Sequence, residues 1–214
     1  MNAVNYQKEL EKIIDTLDKN SIKKKLLLHS CCAPCSSYCL MYLANIFDIT
    51  VFFYNPNIFP QEEFVKRAGE EIRLIDMLNA EYGYAIRYVE GKYDPETFFD
   101  RSRGREREKE GGERCFLCYE QRLTMSAEYG KEHEFDYFTT TLTISPLKSA
   151  AKLNEIGSRV GKEFGIDFLP SDFKKKNGYK QSVELSAKYD LYRQNYCGCV
   201  FSKRESLERE ELKK

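Results

Sequence analysis

Apolar residues along this chain recur at two spacings, and the two alternate. Tyr6, Leu10, Ile13, Ile14 and Leu17 fall on one face of a helix over residues 5–19. Leu26-Leu27-Leu28 is an unbroken apolar run, too short for an independent helix, and reads as a buried strand. A helix to about Phe47 follows, with Ser36 or Ser37 as its cap. Ile49 to Tyr54 is β-branched and aromatic, a second strand that Asn55-Pro56-Asn57 breaks. From Pro60 a stripe of Phe64, Ala68, Ile72, Ile75 and Leu78 predicts a long helix to about Asn79. Tyr84–Val89, Phe135–Thr140 and Asp167–Leu169 read as further strands. Ser149–Phe164 reads as a helix, and Ser182 as the cap of another through Tyr189. This alternation predicts an α/β fold, a parallel sheet flanked by helices. It forms one domain over 1–214: a leading helix and linker to 25, a core over 26–202, and a charged surface helix over 203–214.

Composition narrows the partners. The chain carries 34 basic and 34 acidic residues, so its net charge is zero and any polyanion site is a local patch. Residues 100–114 hold no large apolar side chain and predict an exposed, mobile loop. Lys174, Lys175, Lys176 and Lys180 make a second charged stretch. Residues 1–25 are mostly polar and no apolar run approaches ~20 residues, so a soluble, cytoplasmic protein with neither secretory signal nor membrane span is expected. In that compartment eight cysteines argue for metal or redox chemistry over a disulfide framework.

Seven of the eight fall in loops or at helix starts. Cys31, Cys32 and Cys35 follow the first strand, where ligands bind in open α/β sheets. Pro34 is expected to end the ladder and hold Ala33 extended. Cys115 and Cys118 share a helix face, and Cys197 and Cys199 flank one glycine. Cys39 reads as a packed core thiol. Neighbours in extended chain point apart, so Cys31 and Cys32 are expected to serve two adjacent centres. Seven thiols exceed one tetrahedral site and suit a four-thiolate centre beside an incompletely ligated metal. Zinc and an iron–sulfur cluster fit such ligands equally. No Walker or dinucleotide fingerprint is present, so no ATP, NAD or flavin site is indicated.

The motifs Cys31-Cys32-Ala33-Pro34, Tyr54-Asn55-Pro56-Asn57-Ile58, Gly111-Gly112-Glu113-Arg114-Cys115-Phe116-Leu117-Cys118, Thr139-Thr140-Thr141-Leu142 and Tyr192-Arg193-Gln194-Asn195-Tyr196-Cys197-Gly198-Cys199 together resemble those of the QueH-type epoxyqueuosine reductases. The resemblance spans about 26–202. It implies a fold like the adenine-nucleotide α-hydrolases, with metal-binding loops at the strand carboxyl ends. It implies two-electron deoxygenation of epoxyqueuosine to queuosine at the wobble position of tRNA, without cobalamin and with an external electron donor. It further implies a [4Fe–4S] cluster on Cys31, Cys115, Cys118 and Cys197, and a second metal, iron, on the catalytic Cys32 and Cys199. Cys35 stands where many members carry Asp, which would make the second site softer.

A competing partition puts the cluster on Cys31, Cys32, Cys115 and Cys118 and leaves Cys197 and Cys199 as a redox pair. Arg193, Arg114 and Thr140 are expected to contact substrate, and Arg122 to contact tRNA or anchor a loop. His29, Tyr196 and Thr140 are candidates for proton donation. Two other classes of function stay open: a zinc-stabilised tRNA-binding module, and a thiol–disulfide oxidoreductase using Cys115 and Cys118.

Overall fold

The structure, a computed structural model, describes residues 4–17 and 22–212. Among them five strands, β1 (Lys25–His29), β2 (Asp48–Phe53), β3 (Arg87–Glu90), β4 (Tyr137–Thr140) and β5 (Asp167–Phe168), form one sheet in the order β3-β2-β1-β4-β5. Every pairing is parallel. The chain winds outward from β1 to β3, then returns to build β4 and β5 on the other side. The strand order therefore reverses between β1 and β4, and the crevice at their carboxyl ends is the natural ligand position of a doubly wound sheet.

Eight α-helices among the described residues cover the sheet: α1 (Tyr6–Thr16), α2 (Ala33–Leu43), α3 (Gln61–Tyr82), α4 (Pro95–Ser102), α5 (Glu113–Glu132), α6 (Ala150–Phe164), α7 (Gly178–Lys188) and α8 (Val200–Glu211). β1 is apolar without alternation because both of its faces are buried. Leu26 and Leu28 join a core with Leu40, Leu74 and Phe173, while Leu27 joins another with Leu123, Phe138 and Leu153. All three leucines are fully buried, each contributing roughly 1.5–3 kcal/mol. Among the described residues, no helix is long and apolar enough to cross a membrane.

Several local expectations are corrected. Helix α2 begins at Ala33, ahead of Ser36, with extended Cys32 as its N-cap. Pro34 sits in its first turn, where a missing N–H costs nothing and the fixed φ suits a helix, so it opens the helix and Ala33 is helical. On α3 the expected Phe64, Ala68, Ile75 and Leu78 are buried, joined by Arg67, Glu71 and Leu74, and of the expected stripe Ile72 alone is exposed. Helix α7 begins at Gly178, with Ser182 inside it donating to the Tyr179 carbonyl. A Cβ at Gly178 would lie 1.9 Å from the Phe173 carbonyl oxygen and 2.5 Å from the Tyr38 ring, so only glycine lets α7 pack this closely on α2. Residues 100–114 are largely exposed, as expected, but the buried Arg114 holds three of their carbonyls from below.

A cysteine-lined candidate metal centre

The first thiols are placed by the passage from β1 into α2. The Ser30 N–H still reaches the Phe52 carbonyl, extending the β1–β2 ladder by one bond. The chain then bends at Cys31, and the Cys32 carbonyl accepts from the N–H groups of Cys35 and Ser36. Strand alternation has ended by Cys31, so the two neighbouring thiols do not point apart. Their sulfurs are 3.8 Å from each other, and those of Cys31, Cys32 and Cys35 all lie within 4.8 Å. Tetrahedral ligands at about 2.3 Å from a metal stand about 3.8 Å apart, so this trio has the spacing of one ion's ligands.

Cys115 and Cys118 lie in the opening turns of α5, and Cys199 caps α8. Gly198 between Cys197 and Cys199 has φ 125°, and a Cβ there would lie 3.0 Å from both the Arg67 guanidinium and Ile58. The Arg67 guanidinium donates to the Cys197 carbonyl, and the Phe59 N–H to the Gly198 carbonyl, which pins this loop. Cys115, Cys118, Cys197 and Cys199 line a small inner cavity with Asn57 and Arg122. A larger cavity of about 470 Å³ is lined by Cys31, Cys32, Cys35, Lys148, Arg193 and Tyr196. Cys197 borders both, so the seven thiols form one continuous set. Cys39 is fully buried away from it, in the core.

Cations surround these thiols. Arg122 is fully buried; it donates to Asn55 Oδ1 at 3.1 Å, and its Nε and Nη2 have no partner. Lys148 is also buried. Burial opposes the charge on Arg122, yet neighbouring sulfurs, that of Cys118 foremost, favour it when they carry negative charge and hold the pKa above its usual value. Burial likewise opposes the charge on Lys148, and negative charge on the nearby sulfurs, Cys197 first and then Cys31, favours it and holds its pKa above the usual value. Neither cation makes an ion pair with a carboxylate among the described residues; Glu110, which lines both cavities, gives its backbone N–H to Glu205 and pairs with neither. Glu71 supplies no counter-charge, because burial pushes its pKa up to about 8 despite hydrogen bonds from Ser36 and Ser30.

Buried cations without a carboxylate are costly unless another anion faces them. A thiolate-ligated metal group is such an anion, and the residues present fit one. Both side-chain polar atoms of Asn57, at the inner cavity, are also unpartnered. Burial pushes Cys115 up to about 11 and Cys118 up to about 12, so metal entry there displaces protons.

The remaining expected site residues fall into two groups. Arg193 lines the larger cavity, donating to Ser186 Oγ, and Tyr196 lines it beside Arg67. The others are committed internally. His29 Nε2–H donates to the Tyr54 carbonyl, which leaves Nδ1 of the neutral ring to accept from the Thr140 hydroxyl, whose oxygen also accepts from the Leu142 N–H. Burial, then Arg122, lowers the His29 pKa to about 3, leaving it neutral and walled off. Thr140 is fully buried and lines neither cavity. Arg114 gives its guanidinium to the carbonyls of Arg105, Glu106 and Glu108, which makes it the anchor of the 100–114 segment. Arg122 faces the thiols, not solvent. Lys148, Arg67 and Glu71 do not stand out in the sequence, and Asn55 does so only as part of a motif, with no role attached. Of the first three only Lys148 carries a signal, as a cation in the loop after a strand and next to the Ser149 cap of α6.

The family model for epoxyqueuosine reductase QueH matches residues 26–205. The epoxyqueuosine reductase QueH of Staphylococcus aureus is 43% identical over 201 residues, covering 93% of this chain and 84% of that protein. That of Streptococcus pyogenes is 42% identical over 212 residues, 99% of this chain and 83% of its own. That of Haemophilus influenzae is 36% identical over 218 residues, covering 96% and 86%. Among solved structures, the U34-tRNA thiolase NcsA from Methanococcus maripaludis with its [4Fe-4S] cluster matches at a TM-score of 0.49 and 14% identity, over 96% of this chain and 73% of that one.

Proposed function

This chain belongs to the QueH family of epoxyqueuosine reductases, and on that premise we propose that it removes the epoxide oxygen of epoxyqueuosine in tRNA, yielding queuosine in the last step of that nucleoside's biosynthesis. The enzyme is an oxidoreductase. Two electrons, from a donor outside this chain, and two protons turn an epoxide into an alkene and water. The observation that carries the reading is the gathering of seven thiols from three distant segments beside a cavity of about 470 Å³, within the range of small-ligand sites.

The thiols fit a [4Fe–4S] cluster and a second, incompletely ligated iron. When bound, these groups supply single electrons and Lewis acidity. Arg122 and Lys148 hold the resulting negative charge from the protein side. Arg67, through the Cys197 carbonyl, keeps the last thiol loop in place.

The family pattern assigns Cys31, Cys115, Cys118 and Cys197 to the cluster and Cys32, Cys35 and Cys199 to the iron. A second division puts Cys31, Cys32 and Cys35 on the iron and leaves Cys115, Cys118, Cys197 and Cys199 for the cluster. The 4.8 Å trio and the inner cavity that Cys199 shares with Cys115 and Cys118 favour it. Iron and sulfide counts on two variants decide. Under the family pattern, Cys199→Ala loses about one iron and keeps the cluster spectrum, and Cys31→Ala loses the cluster. Under the second division the two outcomes exchange.

The function itself is tested by incubating the anaerobic, iron-loaded protein with epoxyqueuosine-tRNA and a low-potential reductant. Nucleoside mass spectrometry then shows epoxyqueuosine replaced by a product lighter by one oxygen atom. Unchanged epoxyqueuosine beside an intact cluster spectrum would overturn the reading. A zinc-stabilised binding module would leave the nucleoside untouched.

A further inference from the structure

We propose that Lys148 is a catalytic residue of this site: its ammonium hydrogen-bonds the epoxide oxygen and gives it a proton as the C–O bond breaks. The inference rests on the epoxyqueuosine reductase reading and goes beyond it, because that reading names no proton donor.

Lys148 stands in the turn that follows the carboxyl end of β4, its N–H donating to the Ser145 carbonyl at 3.2 Å. Ser149, the next residue, caps α6, so the backbone on both sides is fixed. The residue is 9% exposed, and the ammonium has no hydrogen-bond partner among the described residues. It lines the larger cavity together with Cys31, Cys32, Cys35 and Cys197. An ammonium with three unused donors, on a residue nine-tenths buried in the wall of a substrate-sized cavity, is arranged to meet an oxygen acceptor that arrives with the substrate.

The chemistry needs such a group. Reductive opening of the epoxide breaks two C–O bonds and forms one C=C bond. Two electrons enter from the enzyme's reductant, and the oxygen leaves as water after taking two protons. The first C–O bond to break leaves negative charge on oxygen. The Lys148 N–H supplies that proton, and solvent entering the cavity reprotonates the amine and supplies the second proton.

Its rivals are placed less well. His29 is neutral and enclosed. Glu71 lines neither cavity and is tied to Ser30. Tyr196 lines the larger cavity but lies against Arg67, which also holds the Cys197 carbonyl. The oxygen of an epoxide is also the one atom that queuosine lacks, so a donor aimed at it discriminates substrate from product.

The test compares Lys148→Ala and Lys148→Arg with the iron-loaded wild type in single turnover. With Arg122 still facing the thiols, Lys148→Ala is expected to keep its iron and sulfide and to react about 100-fold more slowly or worse. Ethylammonium or propylammonium in the buffer should restore part of the rate. Lys148→Arg keeps the charge and can still hydrogen-bond the oxygen, but a guanidinium holds its protons too tightly to transfer one, and this variant is expected to remain at least about tenfold slow. Metal-free wild type should bind epoxyqueuosine-tRNA about tenfold more tightly than queuosine-tRNA, and Lys148→Ala should lose that preference.

A Lys148→Ala rate within threefold of wild type would overturn the proposal. So would full rate in Lys148→Arg, which would mark a counter-charge only. If Lys148→Ala fails to retain iron, Lys148→Arg decides alone: iron restored with slow turnover supports the proposal, and iron restored with full turnover sinks it. A loaded wild type that leaves epoxyqueuosine intact would instead remove the underlying functional reading.

Discussion

Replacing Arg122 by Met should change stability in opposite directions with and without metal. The guanidinium is fully buried, makes one hydrogen bond to Asn55 Oδ1 at 3.1 Å, and leaves Nε and Nη2 unpartnered. Each buried donor left unmade costs about 1–3 kcal/mol, whereas the bond to Asn55 contributes only about 0.5–1.5 kcal/mol. Without metal, burial holds Cys115 and Cys118 protonated at neutral pH, and the Cys31 thiolate, already shared by hydrogen bonds from Cys32 and Cys35, is a diluted counter-charge for Arg122. Met is unbranched and of similar length, and it fills the space without a charge to desolvate.

The metal-free variant is therefore expected to be about 1–4 kcal/mol more stable than wild type, as when other buried ions give way to apolar side chains. With the anionic centre in place, the same substitution removes the cation opposite it and costs about 3–5 kcal/mol. Thermal melts of the two proteins, with and without iron, form a closed cycle. At about 2–4 °C per kcal/mol for a chain of this length, both shifts are measurable. A variant less stable than wild type in both states would show that Arg122 is an ordinary structural arginine, and the charge argument for a bound anion would fail.

Glu71 gives a pH signature. Its carboxyl keeps its proton to about pH 8 when folded but releases it near 4.5 when unfolded. The folded state thus binds more protons across that window, and stability falls as pH rises through it. Glu71→Gln should flatten that slope, recovering on the order of 3–5 kcal/mol at pH 8 relative to pH 4.5; identical slopes in urea melts would show the carboxyl is ionised in the native state. For tRNA, Lys175 is exposed and carries no ion pair among the described residues, while Lys174 is held by Asp172 at 2.5 Å and Lys176 by Glu11. Lys175→Gln should reduce the salt slope of tRNA binding by about one and Lys174→Gln should not, an order that binding isotherms at several salt concentrations would confirm or reverse.

The sheet is legible in the sequence because β1 is buried on both faces, and a strand so placed needs the unbroken leucine run that the chain carries. The start of α2 is not legible. The serines that look like caps are used otherwise, Ser36 pairing with Ser30 and Ser37 donating to the Pro34 carbonyl, and Cys32 caps with its backbone alone. The segment 100–114 reads as mobile because charge composition does not show that one arginine satisfies three of its carbonyls from below. The thiols are legible by count and position. Their geometry is not, since the bend at Cys31 cancels the alternation that a strand would impose. A lone lysine such as Lys148 carries little signal until the cavity around it is seen.

The claim that these thiols and buried cations enclose an iron–sulfur centre is tested most directly by metal and sulfide analysis of anaerobically prepared protein. A brown protein with about five irons and about four acid-labile sulfides per chain is the result expected for one [4Fe–4S] cluster and one further iron. A colourless protein carrying zinc and no labile sulfide, yet able to bind tRNA, would contradict it.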